Sequence, residues 1–192
     1  MGRLCQGVGR GTKGSNGQRV AGTDTFPVIR SDDIPHDRQK EIAHVKVVCE
    51  VRQPKTDPNR TRITVAGNHT CYPGDGGTPT ASLDIVKLML NIVLSRPGAR
   101  FVCFNDTNFY LQTPEMDRKE YVRIKFDNIP DKFRNEYGLT PNPPLVHHSW
   151  VYFAVVRGAY GLTQSGKLAN DLRRKRLTAA GYHKAATTPG LW

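Results

Sequence analysis

An α+β fold with an antiparallel or mixed sheet and packed helices is the expectation for this chain, and three observations carry it. Apolar and polar residues alternate over several short runs, as they do in half-buried strands. Capped runs with helical spacing stand between and after those strands. The two kinds of element follow one another without the regular strand-helix alternation of a doubly wound sheet. A chain of 192 residues suffices for one substantial domain or two small lobes, and folding at that size buries roughly 70% of the extended surface.

Residues 1–26 hold seven of the 18 glycines together with Arg3, Arg10, Lys13 and Arg19 and show no hydrophobic period, the pattern of a flexible basic tail. Gly7, Gly9 and Gly11 follow no strand, and Lys13 lacks the glycine-lysine-serine/threonine ending of a phosphate loop, so no nucleotide loop is assigned there. Ordered structure is expected from Pro27. Asp32-Asp33 reads as the acidic start of a helix over Pro35 to Ala43.

Val45, Val47, Cys49 and Val51 alternate with Lys46 and Glu50, which predicts a strand over His44 to Val51. A loop from Gln53 to Asn59, with Pro54 and Asp57-Pro58, leads to a second strand over Arg60 to Val65. Arg60, Arg62 and Thr64 share one face of it and Thr61, Ile63 and Val65 the other. The two strands make a hairpin with an arginine face.

Tyr72 to Thr78 is a glycine-rich loop, and Thr78-Pro79 predicts the cap and first residue of a helix running to about Leu94. Ser95-Arg96-Pro97-Gly98 ends it. A strand is expected over Ala99 to Asn105, followed by a polar turn, Asp106 to Asn108. Further strands are expected at Tyr121 to Phe126 and Trp150 to Arg157. Between them come a short helix from Asp131 to Tyr137, stopped by Gly138, and a proline-rich loop, Pro141 to Pro144. The last element is a helix from Ser165 to Ala180, with Leu168, Leu172 and Ala179 on one face and Gly181 as its stop.

Lysine and arginine total 28 against 17 aspartates and glutamates, a formal charge of +11, with 38% hydrophobic and 8% aromatic residues. That balance points to a polyanionic partner, nucleic acid first. The most apolar run, Leu83 to Leu94, is interrupted by Asp84, Lys87 and Asn91 and is too short for a membrane span. Met1 to Gly22 lacks the apolar core of a secretory signal, so an intracellular protein is expected and the sequons at Asn59, Asn68 and Asn105 carry little weight. Cys5, Cys49, Cys71 and Cys103 form no Cys-x-x-Cys pair and read as reduced thiols. His147-His148 have no ligand partners at metal spacing and are assigned no metal.

Four segments, taken in order, carry a family pattern: Arg62-Ile-Thr-Val-Ala-Gly67, Phe104-Asn-Asp-Thr-Asn-Phe-Tyr-Leu111, Glu120-Tyr-Val-Arg-Ile124 and Gly158-Ala-Tyr-Gly-Leu-Thr-Gln-Ser-Gly166. Over His44 to Trp192 the chain resembles the reverse transcriptase of copia-type retrotransposons, an RNA-directed DNA polymerase. The resemblance implies right-hand polymerase fingers and a partial palm. After the tail at 1–26 come a fingers hairpin and helix at 27–98, a palm strand at 99–117, fingers strands at 118–157 and a palm helix at 158–192. It implies nucleotidyl transfer with two Mg2+ ions, an RNA or DNA template-primer and a nucleoside triphosphate as partners, and no membrane.

By the same resemblance, Asn105 stands at the family's first catalytic aspartate, where a neutral carbonyl replaces two anionic oxygens. Asp106 is the adjacent carboxylate that could ligate metal, although a strand's period turns it to the other face. The family's tandem-aspartate hairpin is expected after the last helix, beyond Trp192, so a chain inactive in catalysis is expected. Tyr110 matches the residue under the incoming sugar, or else is a core aromatic after a strand; Gln164 matches the residue that contacts the incoming nucleotide, and Arg60 and Arg62 the fingers cations that hold a triphosphate, or else the charged face of a solvated edge strand. Lys55 is a weaker candidate for the same task. In Arg173-Arg-Lys-Arg176 the charges spread around a helical turn, so the run reads as a solvated helix face from which one or two cations contact nucleic acid. The alternative reading is a non-catalytic basic nucleic-acid-binding module, for which the charge and the tail suffice.

Overall fold

The computed structural model describes residues 14–15, 20–51, 53, 59–78, 80–103, 105–141 and 144–192. Most of the basic tail, the Pro54 and Asp57-Pro58 turn, Lys55, Pro79 and Phe104 lie outside the described residues, as does the side chain of Arg60.

The architecture is α+β around one mixed sheet. Two short strands, β1 (Gly14–Ser15) and β2 (Val20–Ala21), pair with each other. The main sheet holds β3 (Val28–Ile29), β4 (Ala43–Val51), β5 (Asn59–Val65), β6 (Glu120–Lys125), β7 (Val146–His147) and β8 (Trp150–Val155). Its order is β3-β8-β6-β4-β5, with β7 added to β8. All pairings are antiparallel except β4 with β6, which run parallel and meet only through Ala43 and His44. The helices are α1 (Leu83–Ser95), α2 (Asp131–Glu136) and α3 (Ser165–Ala179).

The alternation read from the sequence sets the faces of this sheet. Val122, Ile124, Val151, Phe153 and Val155 point to one side and form the core with Phe26, Ile129, Phe133 and Leu139. Val45 and Val47 stand opposite Val65 and Ile63 in the β4–β5 ladder, with Lys46 and Val48 opposite Thr64 and Arg62 on the other face. Between β7 and β8 the turn residues His148 and Ser149 have φ of 48° and 65°. With His147 paired to Trp150, this is a two-residue hairpin turn of the kind that matches strand twist and favours Asn-Gly.

Several expectations are corrected. No strand forms among the described residues of 99–105, and Val102 is 78% exposed. A strand needs a ladder partner, and both edges of the main sheet lie elsewhere, at β3 and β5. The first long helix starts later than Thr78, because Ser82 caps it by accepting from the Ile85 amide at 3.4 Å. That helix is apolar on most of its circumference yet contributes no buried residue, so it is not packed as expected. The helix over Pro35 to Ala43 is a 3-10 segment, His36–Glu41, and Ala43 opens β4. Order begins before Pro27, since Thr25 and Phe26 are buried and the Thr25 carbonyl accepts from the Val156 amide at 3.0 Å. On α3 the buried alanine is Ala169, while Ala179 is exposed.

Candidate functional site

The turn from β8 into α3 organises the four motif segments. Gly158 donates its amide to Thr113 Oγ1 at 2.6 Å, and a Cβ there would meet the Tyr110 carbonyl oxygen at 2.8 Å. The Tyr160 carbonyl accepts from the Val65 amide at 2.7 Å, which joins the turn to the end of β5. Gly161 has φ of 96° and sits so close to β5 that a Cβ would lie 2.0 Å from the Val65 carbonyl oxygen. Both the backbone angle and the close approach require glycine. Ser165 closes the turn, its Oγ donating to the Ala159 carbonyl at 2.7 Å and accepting from the Ala159 amide at 2.8 Å.

Two side chains extend these contacts. Tyr110 packs edge-on against Tyr160, ring centroids 4.9 Å apart. Gln164 is buried, 3% exposed, and its Nε2 donates to Glu120 Oε1 at 3.2 Å, while its Oε1 is buried without a partner. The segments around Val65, Tyr110, Glu120 and Tyr160 thus meet in one place although they span more than half the chain.

Glu120, itself buried, is the centre of an ionic cluster whose other members are partly exposed. Arg38 Nη2 donates to its Oε2 at 2.8 Å, and Arg118 Nε lies 3.8 Å from its Oε1. Both arginines also bind Glu41 Oε2, Arg118 through Nη2 at 2.7 Å and Arg38 through Nε. Burial pushes the Glu120 carboxyl above the ordinary glutamate range, against the pull of Arg38, Arg118 and Gln164. Glu41 moves the other way. Burial would raise it, but the Arg118 and Arg38 guanidinium groups hold it below the ordinary range. The cluster ties the His36–Glu41 segment and the start of β6 to the N-terminus of α3.

Asn105 is exposed, and Asp106 is engaged by Arg173, whose Nε lies 3.5 Å from Oδ2 and whose guanidinium stacks 4.6 Å over the Phe109 ring. Arg176 Nη1 donates to Gln112 Oε1 at 2.8 Å. Arg173 and Arg176 therefore clamp the 106–112 turn onto α3, and a groove lined by Asp106, Phe109, Leu172 and Arg176 remains between them. Arg174 pairs with Asp171 at 3.7 Å. Two of the four cations of that run are thus spent on the chain's own turn.

The predicted site residues divide accordingly. Tyr110 and the turn carrying Gln164 come together, but Gln164 faces Glu120 in the interior and does not share an open cleft with Asn105. Arg62 is half-buried on β5 with its Nε unpartnered, and Arg60 stands opposite Glu50 in the ladder. Among the described residues no group of three or more His, Cys, Asp or Glu side chains could hold a metal ion. A neutral amide at Asn105 beside a carboxylate already paired with arginine is a poor donor set for Mg2+, so the residues here do not fit a two-metal centre.

Sequence reasoning missed Arg38, Glu41, Arg118 and the inward turn of Glu120. The signal for Glu120 was present, because its spacing of two from Val122 and Ile124 puts it on their buried face. Arg38 and Glu41 lie in a 3-10 segment with no apolar period to orient them.

Comparison of the chain with protein-family models, with curated proteins and with solved structures finds no match in any of the three.

Proposed function

We propose that the chain carries the fingers and part of the palm of a copia-type reverse transcriptase, and that these 192 residues bind a template-primer without extending it. The observation that carries this reading is the meeting of the four motif segments at the Tyr160–Gln164 turn, held by the Val65 amide, the Tyr110 ring, Thr113 and Glu120. Residues scattered over the sequence in a polymerase-like order gain a shared structural task there.

In this reading Tyr110 and Arg62 are the nucleotide-side groups, and the basic surface serves phosphate. Gln164 acts as a positioning residue, fixing the turn through Glu120 rather than reaching a nucleotide. Mg2+ is the expected metal of the family, and the donor set around Asn105 favours binding without nucleotidyl transfer. A non-catalytic nucleic-acid-binding role is therefore part of the same proposal for this chain.

The test is a titration of a labelled DNA primer annealed to an RNA template at about 50 and about 200 mM salt. Phosphate contacts release counterions, so affinity falls steeply between the two. Absence of binding at low salt, or equal affinity at both, overturns the reading.

A further inference from the structure

The outer face of the main sheet, opposite the core, carries a second and separate surface. On β8, Trp150 alternates with the buried Val151 and so points outward, next to Lys125 of β6 in the ladder. Arg123, two residues earlier on β6, lies over the Trp150 ring at 4.6 Å, and Lys125 lies 5.8 Å from the same ring centroid. His44 of β4 packs against that ring at 5.3 Å and stands level with Arg123 in the parallel pairing. Lys46 follows two residues on, exposed on the same face.

Part of this face is closed. Tyr152 and Ala154 are buried, and Arg38 lies 5.5 Å over Tyr121. The rest runs from the half-buried Trp150 and Arg123 to the exposed Lys125 and Lys46. Among the described residues no carboxylate pairs with Arg123, Lys125 or Lys46, although the Arg123 Nε itself is buried, without a hydrogen-bond partner. Glu50 lies on the same face farther along β4, opposite Arg60. Burial, Arg123 and His69 hold His44 below its ordinary pKa, so it adds a ring rather than a charge near neutral pH.

Cations without a carboxylate partner stacked around a half-exposed aromatic ring on a sheet suit one class of partner. Bases of a single strand stack on aromatic rings and on guanidinium planes, while flanking cations meet the phosphates. A duplex keeps its bases inside and cannot use the ring. We infer that Trp150, Arg123, Lys125 and Lys46 form a stacking platform for single-stranded nucleic acid. This deepens the nucleic-acid side of the reading above but uses none of Asn105, Tyr110 or Gln164.

The chain has two tryptophans, Trp150 and Trp192, so Trp192→Phe leaves Trp150 as the sole indole reporter. In that protein an oligouridylate or oligothymidylate of about 12 nucleotides quenches the Trp150 fluorescence, and heparin, a polyanion without bases, does not. Arg123→Gln with Lys125→Gln weakens oligonucleotide binding at least about fivefold and lowers the salt slope by about 1.4, the value for two lost phosphate contacts on a single strand. Quenching by heparin equal to that by oligonucleotide overturns the inference, as does unchanged affinity in the double variant. If the single strand fails both tests while the primed hybrid still binds, the platform is refuted and the polymerase reading stands. If neither polynucleotide binds, both fall.

Discussion

The side-chain amide of Gln164 donates to the carboxylate of Glu120 across 3.2 Å in the interior, joining the start of α3 to the start of β6. That contact gives a motif glutamine a structural role. It also makes the turn after β8 dependent on a carboxylate that burial disfavours in its charged form.

Gln164→Ala is therefore expected to destabilise the fold by about 2 kcal/mol, since it removes a hydrogen bond to a charged group and leaves a small void. Urea denaturation measures this directly. An unchanged midpoint would mean that the contact contributes nothing to stability.

The ionic cluster makes stability depend on pH in two opposed ways. Glu41 titrates below its unfolded value, so its stabilisation is complete above that value, about 4.3, and is lost as pH falls through the folded pKa. Glu120 titrates above its unfolded value, so its contribution is greatest in acid and is lost as pH rises through the folded pKa. Glu41→Gln should lower stability at neutral pH by about 1 kcal/mol and reduce the further loss on acidification below about pH 5. Denaturation midpoints at neutral and acid pH check it, and an acid loss as large as in the parent chain would assign that loss to other groups.

At the β7–β8 turn, Ser149 holds φ of 65° without being glycine. Ser149→Gly relieves that strain and should raise stability by roughly 0.5 to 1 kcal/mol, after the added flexibility of the unfolded chain is counted. A thermal midpoint that stays level or falls would show that the serine side chain supplies a compensating contact.

How much of this could be read from the sequence varies with what each feature depends on. Alternation located β4 and β5, because facing a core is a property of the strand itself, and β6 and β8 also lie where strands were expected. Gly138 and Gly181 marked helix ends correctly, each with positive φ. The run 99–105 has strand-like composition, but strand formation also needs a neighbour, and that information lies elsewhere in the chain. Gln164 was singled out for its motif, whereas its burial against Glu120 depends on how three separate segments meet. Arg173 was read as a solvated or nucleic-acid-facing cation, and its pairing with Asp106 is a tertiary contact with no local sign.

That pairing bears on catalysis. Asn105→Asp places a second carboxylate beside Asp106, yet Asp106 stays engaged by Arg173, and two metal ions require several anionic oxygens. Neither the parent chain nor Asn105→Asp is expected to extend a primer on an RNA template with Mg2+ and nucleotides. Templated extension by either one, seen on a sequencing gel, would show that a working donor set exists.

In the function proposed above, the segments meeting at the Tyr160–Gln164 turn form the surface that receives a template-primer. Hydrogen exchange of the full chain, with and without a primed RNA template at low salt, tests it most directly. Slower amide exchange is expected on binding in 105–113 and 158–166, beyond the protection that the Gly158 and Thr113 amides already have from Thr113 Oγ1 and the Tyr110 carbonyl. Binding that leaves exchange in both segments unchanged, with protection confined to other parts of the chain, would contradict it.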